Sequence, residues 1–510
     1  MKSAIISRKA HAIRQKIRGV KNMSYYIGID LGTSSVKMLM MTGNGDLTKS
    51  VTREYPLYFP KSGWSEQNPE DWWSAVKDGL KELTADCDKS AVKGISFGGQ
   101  MHGLVILDEN DNVIRPAILW NDGRTQNEVD YLNNEIGRDK LSRYTANIAF
   151  AGFTAPKILW LQKNEPDNFK RIKKIMLPKD YIAYMLTGEH STDYSDASGM
   201  LLLDVKNKCW SKEMLKICGI DESVMPKLFE SYEVTGTLKD KIASELELNE
   251  DTKVIAGAGD NAAAAIGMGT LKNGQCNISL GTSGTVFISQ DAFSVDKNNT
   301  LHSFAHANGK YHLMGCMLSA ASCNKWWLEE ILKTNDYTGS QKDIKTLGEN
   351  NVFFLPYLMG ERSPHNDPNA RGAFIGMSMD TLQAEMTQAV LEGVAFGIRD
   401  SLEVARSLGM EITRSTICGG GAKSTLWCEI MANVLNMEIV TLEKEEGPAF
   451  GGAILAAVGC GEYSDVSEAA DKMIEIKNTY KPTKEIAEKY EGKYQKFRML
   501  YPALKDIFKA

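Results

Sequence analysis

The stretch "IGIDLGTSS" at residues 27–35 has a partial copy, "NISLGTSGT", at residues 277–285. Both contain Leu-Gly-Thr-Ser, and they lie about half the chain apart. This spacing is too long for a solenoid repeat and indicates two related domains. The copies differ at a position that bears on chemistry, because the first has Asp30 where the second has Ser279.

Apolar segments flank both Gly-Thr-Ser turns. Residues 27–30 and 36–41 surround the first turn, and residues 276–280 and 285–289 surround the second. Short apolar segments joined by a turn rich in Gly and Ser are typical of β-hairpins. Strand-like and helix-like patterns alternate along the rest of the chain, which predicts an α/β fold.

The two turns also suggest how the chain is divided. We predict a first domain over residues 24–269 and a second over 270–510. Residues 1–23 hold seven Lys or Arg residues, no acid and no apolar core of a secretory signal. We expect them to form a disordered extension, with Met23 as the natural first residue and an organellar transit peptide as the alternative. The charged, helix-like end, from about Ser464, is expected to pack on the surface.

Net charge, cysteine content and apolar run length indicate which kinds of partner and which cell compartment to expect. The net charge of −6 over 510 residues argues against nucleic acid or an anionic membrane as the partner. Nine Cys residues with no C-x-x-C pair indicate reduced thiols in a cytoplasmic protein rather than disulfides or a zinc site. No apolar run approaches the roughly 18 residues of a membrane span.

The repeated turns predict a polyphosphate site. A Gly-Thr-Ser turn can direct backbone N–H groups and hydroxyls at phosphate oxygens. Two such turns in register would hold one polyphosphate from both sides, with Thr33 and Ser34 on one loop and Thr282 on the other. Phosphoryl transfer needs a divalent cation, usually held by few carboxylates and by water. We therefore expect Asp30 to act beside the metal, while a second carboxylate would repel the phosphates.

The sequence "GAGDNAAAA" at residues 257–265 places Asp260 where a Gly-rich turn opens a helix. An acid at an uncrowded helix N-terminus can accept the proton of a substrate hydroxyl. The alternative is an N-cap, since Asp often caps helices. The phosphate loops and the neighbouring Asn261 favour the general base.

Three further motifs offer polar groups on turns. In "GGQMHG" (98–103), Gln100, Met101 and His102 could contact a polyol, or His102 could be an ordinary turn residue. The motif "ILWNDGR" (118–124) fits a sugar site and a set of caps and salt bridges equally well. In "CGGGAKS" (418–424), the glycines would let adenine or ribose lie against the backbone. The polar, Pro-rich "GERSPHNDPNARG" (360–372) is more typical of an ordered loop than of a catalytic one.

Together these residues resemble the FGGY family of carbohydrate kinases, from about Tyr26 to Gly451 and more loosely in the C-terminal helices. Two long stretches, Gly152–Asn164 and Gly372–Glu392, match the family's signatures. The other matching stretches are "YIGIDLGTSSVK", "WSEQNPEDWW", "GGQMHG", "PAILWNDGR", "LPKDYI", "GDNAAAAIGMG", "SLGTSGTV", "MLSAASCNKWW", "FLPYLMGERSPHNDPNARG", "AVLEGV" and "GGGAKS".

The resemblance implies two actin-like, ribonuclease H-like ATPase domains with a ligand cleft between them. It also implies ATP with Mg²⁺, and a ketose or polyol that accepts the γ-phosphoryl group. Met101 and His102 match a sugar-contacting pair, where polyol-kinase members such as glycerol kinase carry a charged pair. The remaining roles carried over by position are Asp260 as catalytic base, Asn261 beside the sugar, Asp30 near metal and phosphates, Thr33, Ser34 and Thr282 on the phosphate loops, and Gly420 and Gly421 beside adenine.

The expected reaction is phosphorylation of D-xylulose to D-xylulose 5-phosphate, with ribulose or fuculose as alternative substrates. An actin-like nucleotide switch without a sugar acceptor is the alternative from another class. Such a switch needs no base facing a polyol, so Asp260-Asn261 and Gln100-Met101-His102 discriminate against it. A sugar and ATP are the expected partners, nucleic acid and membrane are not, and a homodimer is one assembly that stays open.

Overall fold

The structure, a computed structural model, describes residues 23–509, so nearly all of the predicted basic extension lies outside the described residues. The first Gly-Thr-Ser turn joins strands Tyr25–Leu31 and Ser35–Thr42. The two strands are antiparallel, with Asp30 opposite Lys37. This confirms the predicted hairpin, and each strand extends slightly beyond the predicted apolar run.

The first hairpin forms the middle of a seven-stranded sheet. Tyr25–Leu31 pairs in parallel with Val92–Gly99 on its other side. Ile27, Ile29 and Leu31 are fully buried because both faces of this sheet are covered. Across the sheet the strands follow the order Val234–Thr237, Lys253–Ile255, Val92–Gly99, Tyr25–Leu31, Ser35–Thr42 and Leu47–Glu54, with Ala258–Gly259 pairing beside the end of Val92–Gly99.

The second half repeats this arrangement around the second turn. Gln275–Leu280 is antiparallel to Gly284–Gln290 and parallel to Arg414–Cys418, as its counterpart in the first sheet is to its own neighbours. The strands of this seven-stranded sheet follow the order His302–Ala305, Tyr311–Met317, Gly284–Gln290, Gln275–Leu280, Arg414–Cys418, Glu438–Leu442 and Ile476–Tyr480.

Helices cover both sheets, and none of those within residues 23–509 has the length and apolar composition of a membrane span. The α-helices are Pro69–Leu83, Gln126–Asp130, Arg138–Thr145, Thr154–Asn164, Pro166–Lys170, Pro178–Thr187, Tyr194–Ser198, Lys212–Ile217, Asp240–Leu246, Asp260–Gly267, Ala321–Lys325, Gln383–Ser407, Thr425–Leu435, Pro448–Gly459, Val466–Met473 and Lys484–Leu504. Shorter 3₁₀ and π turns are Lys89–Ala91, Tyr131–Gly137, Glu222–Val224, Trp326–Ile331, Gly339–Gln341 and Gly420–Lys423. Two-stranded ladders pair Glu66–Gln67 with Ala117–Ile118, Val105–Leu107 with Lys174–Met176, Ser191–Asp193 with Lys227–Phe229, Leu203–Asp204 with Cys209–Trp210, and Phe353–Leu355 with Ala373–Ile375.

One helix of the second half packs on the first sheet. The close approach of Pro448–Gly459 to strand Tyr25–Leu31 requires Gly28, because a Cβ there would overlap the carbonyl oxygen of Ala449. A Cβ on Gly451 would likewise overlap the carbonyl of Ala263 in helix Asp260–Gly267. This stack of small residues joins the two halves and supports the edge at which Asp260 lies.

The C-terminal region differs from the expectation of surface packing. Ile476–Tyr480 is a strand that extends the edge of the second sheet. The last helix, Lys484–Leu504, buries Tyr490, Tyr494 and Phe497 against the core of the second half. The sequence pattern predicted neither feature, because charged residues dominate this region. The strand is largely exposed, and the helix buries only a narrow aromatic stripe.

Candidate active site

Asp30 and Asp260 lie at the same edge of the first sheet. Gly98 in the central strand pairs with Asp30 on one side and with Ala258, two residues before Asp260, on the other. Adjacent strands are about 4.8 Å apart, so the backbones that carry the two acids are separated by roughly 10 Å. The edge is formed by the carboxyl ends of parallel strands, where α/β sheets commonly bind ligands.

Asp30 is a carboxylate without close neutralisation. Burial and the negative charge of Asp260 raise its pKa to about 7, and the opposing effect of Lys37 is smaller. Lys37 is engaged elsewhere, since its Nζ lies 2.6 Å from Glu446 Oε2. Asp30 can therefore accept further positive charge in this cleft.

Asp260 is the first residue of helix Asp260–Gly267, and Gly259 occupies the N-cap position without a side-chain cap bond. One carboxylate oxygen, Oδ1, accepts hydrogen bonds from Asn261 N at 2.7 Å and Asn261 Nδ2 at 2.9 Å. Within residues 23–509, Oδ2 accepts none. Burial raises the pKa of Asp260 to about 6, although the bonds from Asn261 lower it. The geometry leaves one oxygen free to accept a proton.

A buried polar network holds the turn before Asp260. Gly259 N donates to Ser195 Oγ at 3.1 Å, and Ser195 Oγ donates to Asp193 Oδ2 at 2.5 Å. Asp193 is fully buried, and its Oδ1 lies 2.9 Å from Lys179 Nζ. These contacts connect the turn before Asp260 to a buried ion pair and so fix where its helix begins.

The first phosphate loop is anchored through its carbonyl groups. The carbonyl of Gly32 accepts from Tyr55 and from Gln100 Nε2, and the carbonyl of Thr33 accepts from Gln67 Nε2. With the carbonyls held on the protein side, the N–H groups of Thr33 and Ser34 are left for an anion.

Thr33 also keeps a free hydroxyl hydrogen. Trp120 Nε1 donates to Thr33 Oγ1 at 2.9 Å, so the hydroxyl can itself donate to a phosphate oxygen. Ser34 is exposed on the same loop.

The second phosphate loop borders a cavity of about 1000 Å³ in the second half. The carbonyl of Thr282 accepts from Ala320 N at 3.0 Å and from Ser322 Oγ at 2.7 Å, which leaves the exposed Thr282 hydroxyl free. Gly420 and Gly421 line the same cavity, so the structure brings together the predicted nucleotide residues of this half. Other lining residues include Tyr337, Gln341, Lys342, Lys423 and Trp427.

Met101 lies against Gly259, the residue before Asp260, and His102 is the next residue along the chain. His102 Nδ1 is 2.7 Å from the carbonyl of Gly199 and must carry the hydrogen, so Nε2 is left as an acceptor. Burial holds the pKa of His102 well below its usual value, and the imidazole is neutral. Met101 packs against Gly259 and Gly199, where a Cβ would have no room.

The structure bears on two sequence interpretations at this site. Gln100 is buried, and its Nε2 donates to the carbonyl of Gly32 and to Gln67 Oε1 at 3.0 Å, while its Oε1 has no partner among the described residues, so its role as a polyol contact stays a prediction. In "ILWNDGR", Asp122 accepts from Ser65 N at 2.6 Å and pairs with Arg124, which favours the structural alternative for these two residues.

The structure adds residues that the sequence did not single out. The His102 ring lies 4.7 Å from Phe153, and Phe150 lies 5.2 Å from His302 of the second half. Arg362, in the loop interpreted as merely ordered, stacks on Phe150 with 5.2 Å between its Cζ and the ring centroid. The only sequence clue to these two residues was the signature stretch 152–164, which contains Phe153 and begins two residues after Phe150.

Comparison with known proteins covers most of the chain. Residues 25–267 match the N-terminal domain, and residues 276–460 the C-terminal domain, of the FGGY family of carbohydrate kinases. A curated relative from Staphylococcus xylosus, named xylulose kinase, is 38% identical over 483 residues, which are 94% of this chain and 100% of the relative.

Solved structures agree with this match. A protein from Brucella ovis described as a "xyloylose kinase" is 40% identical, with a TM-score of 0.90 over 95% of this chain and 100% of that chain. A gluconate kinase from Lactobacillus acidophilus is 28% identical, with a TM-score of 0.89 over 94% of this chain and 98% of that chain. The predicted α/β fold of two actin-like ATPase domains is confirmed, and the chain belongs to the FGGY family of carbohydrate kinases.

Proposed function

We propose that this kinase transfers the γ-phosphoryl group of ATP to D-xylulose and forms D-xylulose 5-phosphate. The observation that carries the proposal is the free Oδ2 of Asp260 at a sheet edge that also holds a candidate phosphate loop, with Met101 packed against the preceding Gly259. The near-full-length identity to a relative named xylulose kinase supports the choice of sugar.

Asp260 acts as the general base in this proposal. Its Oδ2 accepts the proton of the sugar's terminal hydroxyl as that oxygen attacks phosphorus, and the bond to ADP breaks. Asn261 fixes the other carboxylate oxygen and lies beside the sugar. His102 Nε2 accepts a hydrogen bond from a second hydroxyl, while Met101 supplies an apolar wall. Asp260 thus receives one proton per turnover and returns it to water.

The phosphate loops hold ATP from the two halves. Thr33 and Ser34 present N–H groups and a hydroxyl from the first loop, and the Thr282 hydroxyl reaches from the second. Gly420 and Gly421 let adenine lie against the backbone of the cavity in the second half.

Mg²⁺ fits at Asp30. The carboxylate is buried in the cleft, and its raised pKa shows that the surroundings leave its charge poorly compensated. Among the described residues no group of three or more His, Cys, Asp or Glu is arranged as a metal site, so Asp30 would hold the ion directly or through water, with phosphate oxygens. When bound, the ion would neutralise charge on the phosphates.

A cytoplasmic location and a homodimer remain predictions from the sequence.

Coupled ADP-release assays with D-xylulose, D-ribulose, L-fuculose, glycerol and gluconate test the proposal. We expect the highest kcat/KM for D-xylulose, and loss of sugar-dependent turnover in Asp260→Asn. A higher kcat/KM for another sugar would correct the substrate. ATP hydrolysis that no sugar stimulates would instead favour the nucleotide switch.

A further inference from the structure

Arg362 reaches from the second half towards the sugar pocket of the first. Its guanidinium lies 5.2 Å from the ring of Phe150, which lies 5.5 Å from Phe153, which in turn lies 4.7 Å from His102. This aromatic series connects a cation of one half with the sugar-binding histidine of the other. His302 of the second half contacts Phe150 and Phe153 and closes the same wall.

The backbone around Arg362 is firmly held. Ser363 N donates to the carbonyl of Cys316 at 2.9 Å, and Cys316 N donates to Ser363 Oγ at 3.1 Å. Glu361 is buried, and its Oε1 accepts from Leu318 N at 3.0 Å and from Arg362 N at 2.7 Å. Arg362 is therefore presented by a loop attached to strand Tyr311–Met317 of the second sheet.

The guanidinium itself has no counter-ion. Over residues 23–509, no carboxylate oxygen lies within 4.0 Å of it, and it donates no hydrogen bond to an oxygen atom. By contrast, Arg399 pairs with Glu403 and Glu491, and Arg124 with Asp122. The Cys316 sulfur engages one side of this half-buried guanidinium, and its remaining N–H donors are available for a ligand.

Its position points to one end of the sugar. Met101 packs against Gly259, which precedes Asp260, and against Gly199, the residue whose carbonyl His102 contacts. The positive charge of Arg362 lowers the pKa of both His102 and His302, which places it at the histidine end of the pocket. A ketose whose terminal hydroxyl lies at Asp260 would direct its carbonyl end to that side.

We propose that Arg362 donates hydrogen bonds to the carbonyl end of the bound ketose and so contributes to substrate specificity from the second half. The inference rests on the proposed function, since it needs a ketose with its reacting hydroxyl at Asp260. Guanidinium N–H groups bond carbonyl oxygens well, whereas a polyol offers only a hydroxyl at that carbon. Arg362 would thus favour the ketose over the corresponding polyol.

Steady-state kinetics of Arg362→Gln and Arg362→Lys test this contact. A lost bond from a charged donor predicts an increase of roughly 10- to 100-fold in KM for D-xylulose, with KM for ATP changed less than about twofold. Arg171→Gln, which removes an exposed arginine paired with Asp108, is the matched control and should leave both constants unchanged. Arg362→Lys keeps the charge but loses the paired N–H donors of the guanidinium. Its KM for D-xylulose should lie between those of Arg362→Gln and the wild type.

The inhibition constant of xylitol, the polyol formed by reduction at C2, tests the carbonyl assignment. In Arg362→Gln it should change much less than KM for D-xylulose, and equal changes would overturn the assignment. An unchanged KM for D-xylulose in a variant with wild-type ATP kinetics would overturn the contact, and if Arg362→Gln does not fold, Arg362→Lys provides the same test. Absence of D-xylulose-dependent ADP release in the wild type would instead contradict the proposed function.

Discussion

At the residue scale, replacing Asp260 should have opposite effects on catalysis and on stability. Asp260→Asn removes the proton acceptor and should reduce kcat by about 100-fold or more, while KM for ATP stays similar. The same change removes a charge that burial penalises, as the pKa of about 6 shows, so the thermal unfolding midpoint at pH 8 should rise. Turnover and calorimetry on one preparation measure both. Near-normal turnover in Asp260→Asn would contradict the general-base assignment and leave Asp260 with a structural role.

The acid limb of the pH profile should belong to the Asp260 carboxylate. Asp260 must be ionised to accept a proton, and its ionised fraction falls as the pH drops through about 6. We therefore expect kcat/KM for the sugar to fall as the pH drops through about 6. His102 is already neutral in this range. His102→Gln should thus raise KM for the sugar but keep the limb, and loss of the limb in that variant would contradict the assignment.

Residues within short motifs were predictable from the sequence, and residues brought in by the fold were not. Asp30, Thr33 and Thr282 stand in a repeat, and Asp260 stands at a Gly-rich turn, so local chemistry was enough to nominate them. Arg362 and His302 contact Phe150 only because the second half docks on the first. Gln100 has a structural contact that the sequence did not predict, since its Nε2 donates to the carbonyl of Gly32 on the first loop.

At the element scale, the start of helix Asp260–Gly267 depends on a hydroxyl from another helix. Ser195→Ala would leave the buried Gly259 N–H without an acceptor and should cost about 1–3 kcal/mol of stability. A small shift of Asp260 should also lower kcat roughly tenfold, with KM for ATP retained. Ser223→Ala is the matched control, because Ser223 bonds Asp221 in the same way on the surface. Equal effects of the two variants would show that the network does not position the base.

Element prediction succeeded where both faces of an element are buried. The hairpin at residues 25–42 and the strand–turn–helix at Arg414–Leu435 follow from apolar runs and glycines. Ile476–Tyr480 was missed because this edge strand has four consecutive exposed residues and therefore lacks an alternating apolar pattern. Its pairing with Glu438–Leu442 is a long-range contact that local pattern does not encode.

At the scale of the whole molecule, the contact between Pro448–Gly459 and the first sheet joins the halves. Gly28→Ala would force a Cβ into the carbonyl of Ala449 and should destabilise the protein by about 3 kcal/mol. Gly492→Ala is the control, since no atom lies within 4 Å of a Cβ at this exposed helical site. It should stabilise by about 0.5–1 kcal/mol. Similar unfolding midpoints for both variants would contradict tight packing between the halves.

In the proposed mechanism, the two copies of the repeated turn have different tasks on ATP. Asp30→Asn keeps the shape of the first loop but removes the charge expected to face Mg²⁺, so half-maximal transfer should need several-fold more magnesium. Thr282→Val removes a hydroxyl donor at nearly constant volume and should raise KM for ATP about fivefold, the value of one hydrogen bond, at unchanged magnesium dependence. The affinity for sugar should be unchanged in both variants, because the proposal assigns sugar binding to His102 and Asp260.

Magnesium titrations at fixed ATP, followed by ATP titrations at saturating magnesium, separate the two effects. The double variant extends the test to the closed molecule, since transfer needs both loops on the same phosphates. Its loss in kcat should depart from the product of the single losses, because each loop acts only when the other holds its end of ATP. Wild-type magnesium dependence in Asp30→Asn, or strictly multiplicative losses, would mean that the repeat preserves a fold and not a shared polyphosphate site.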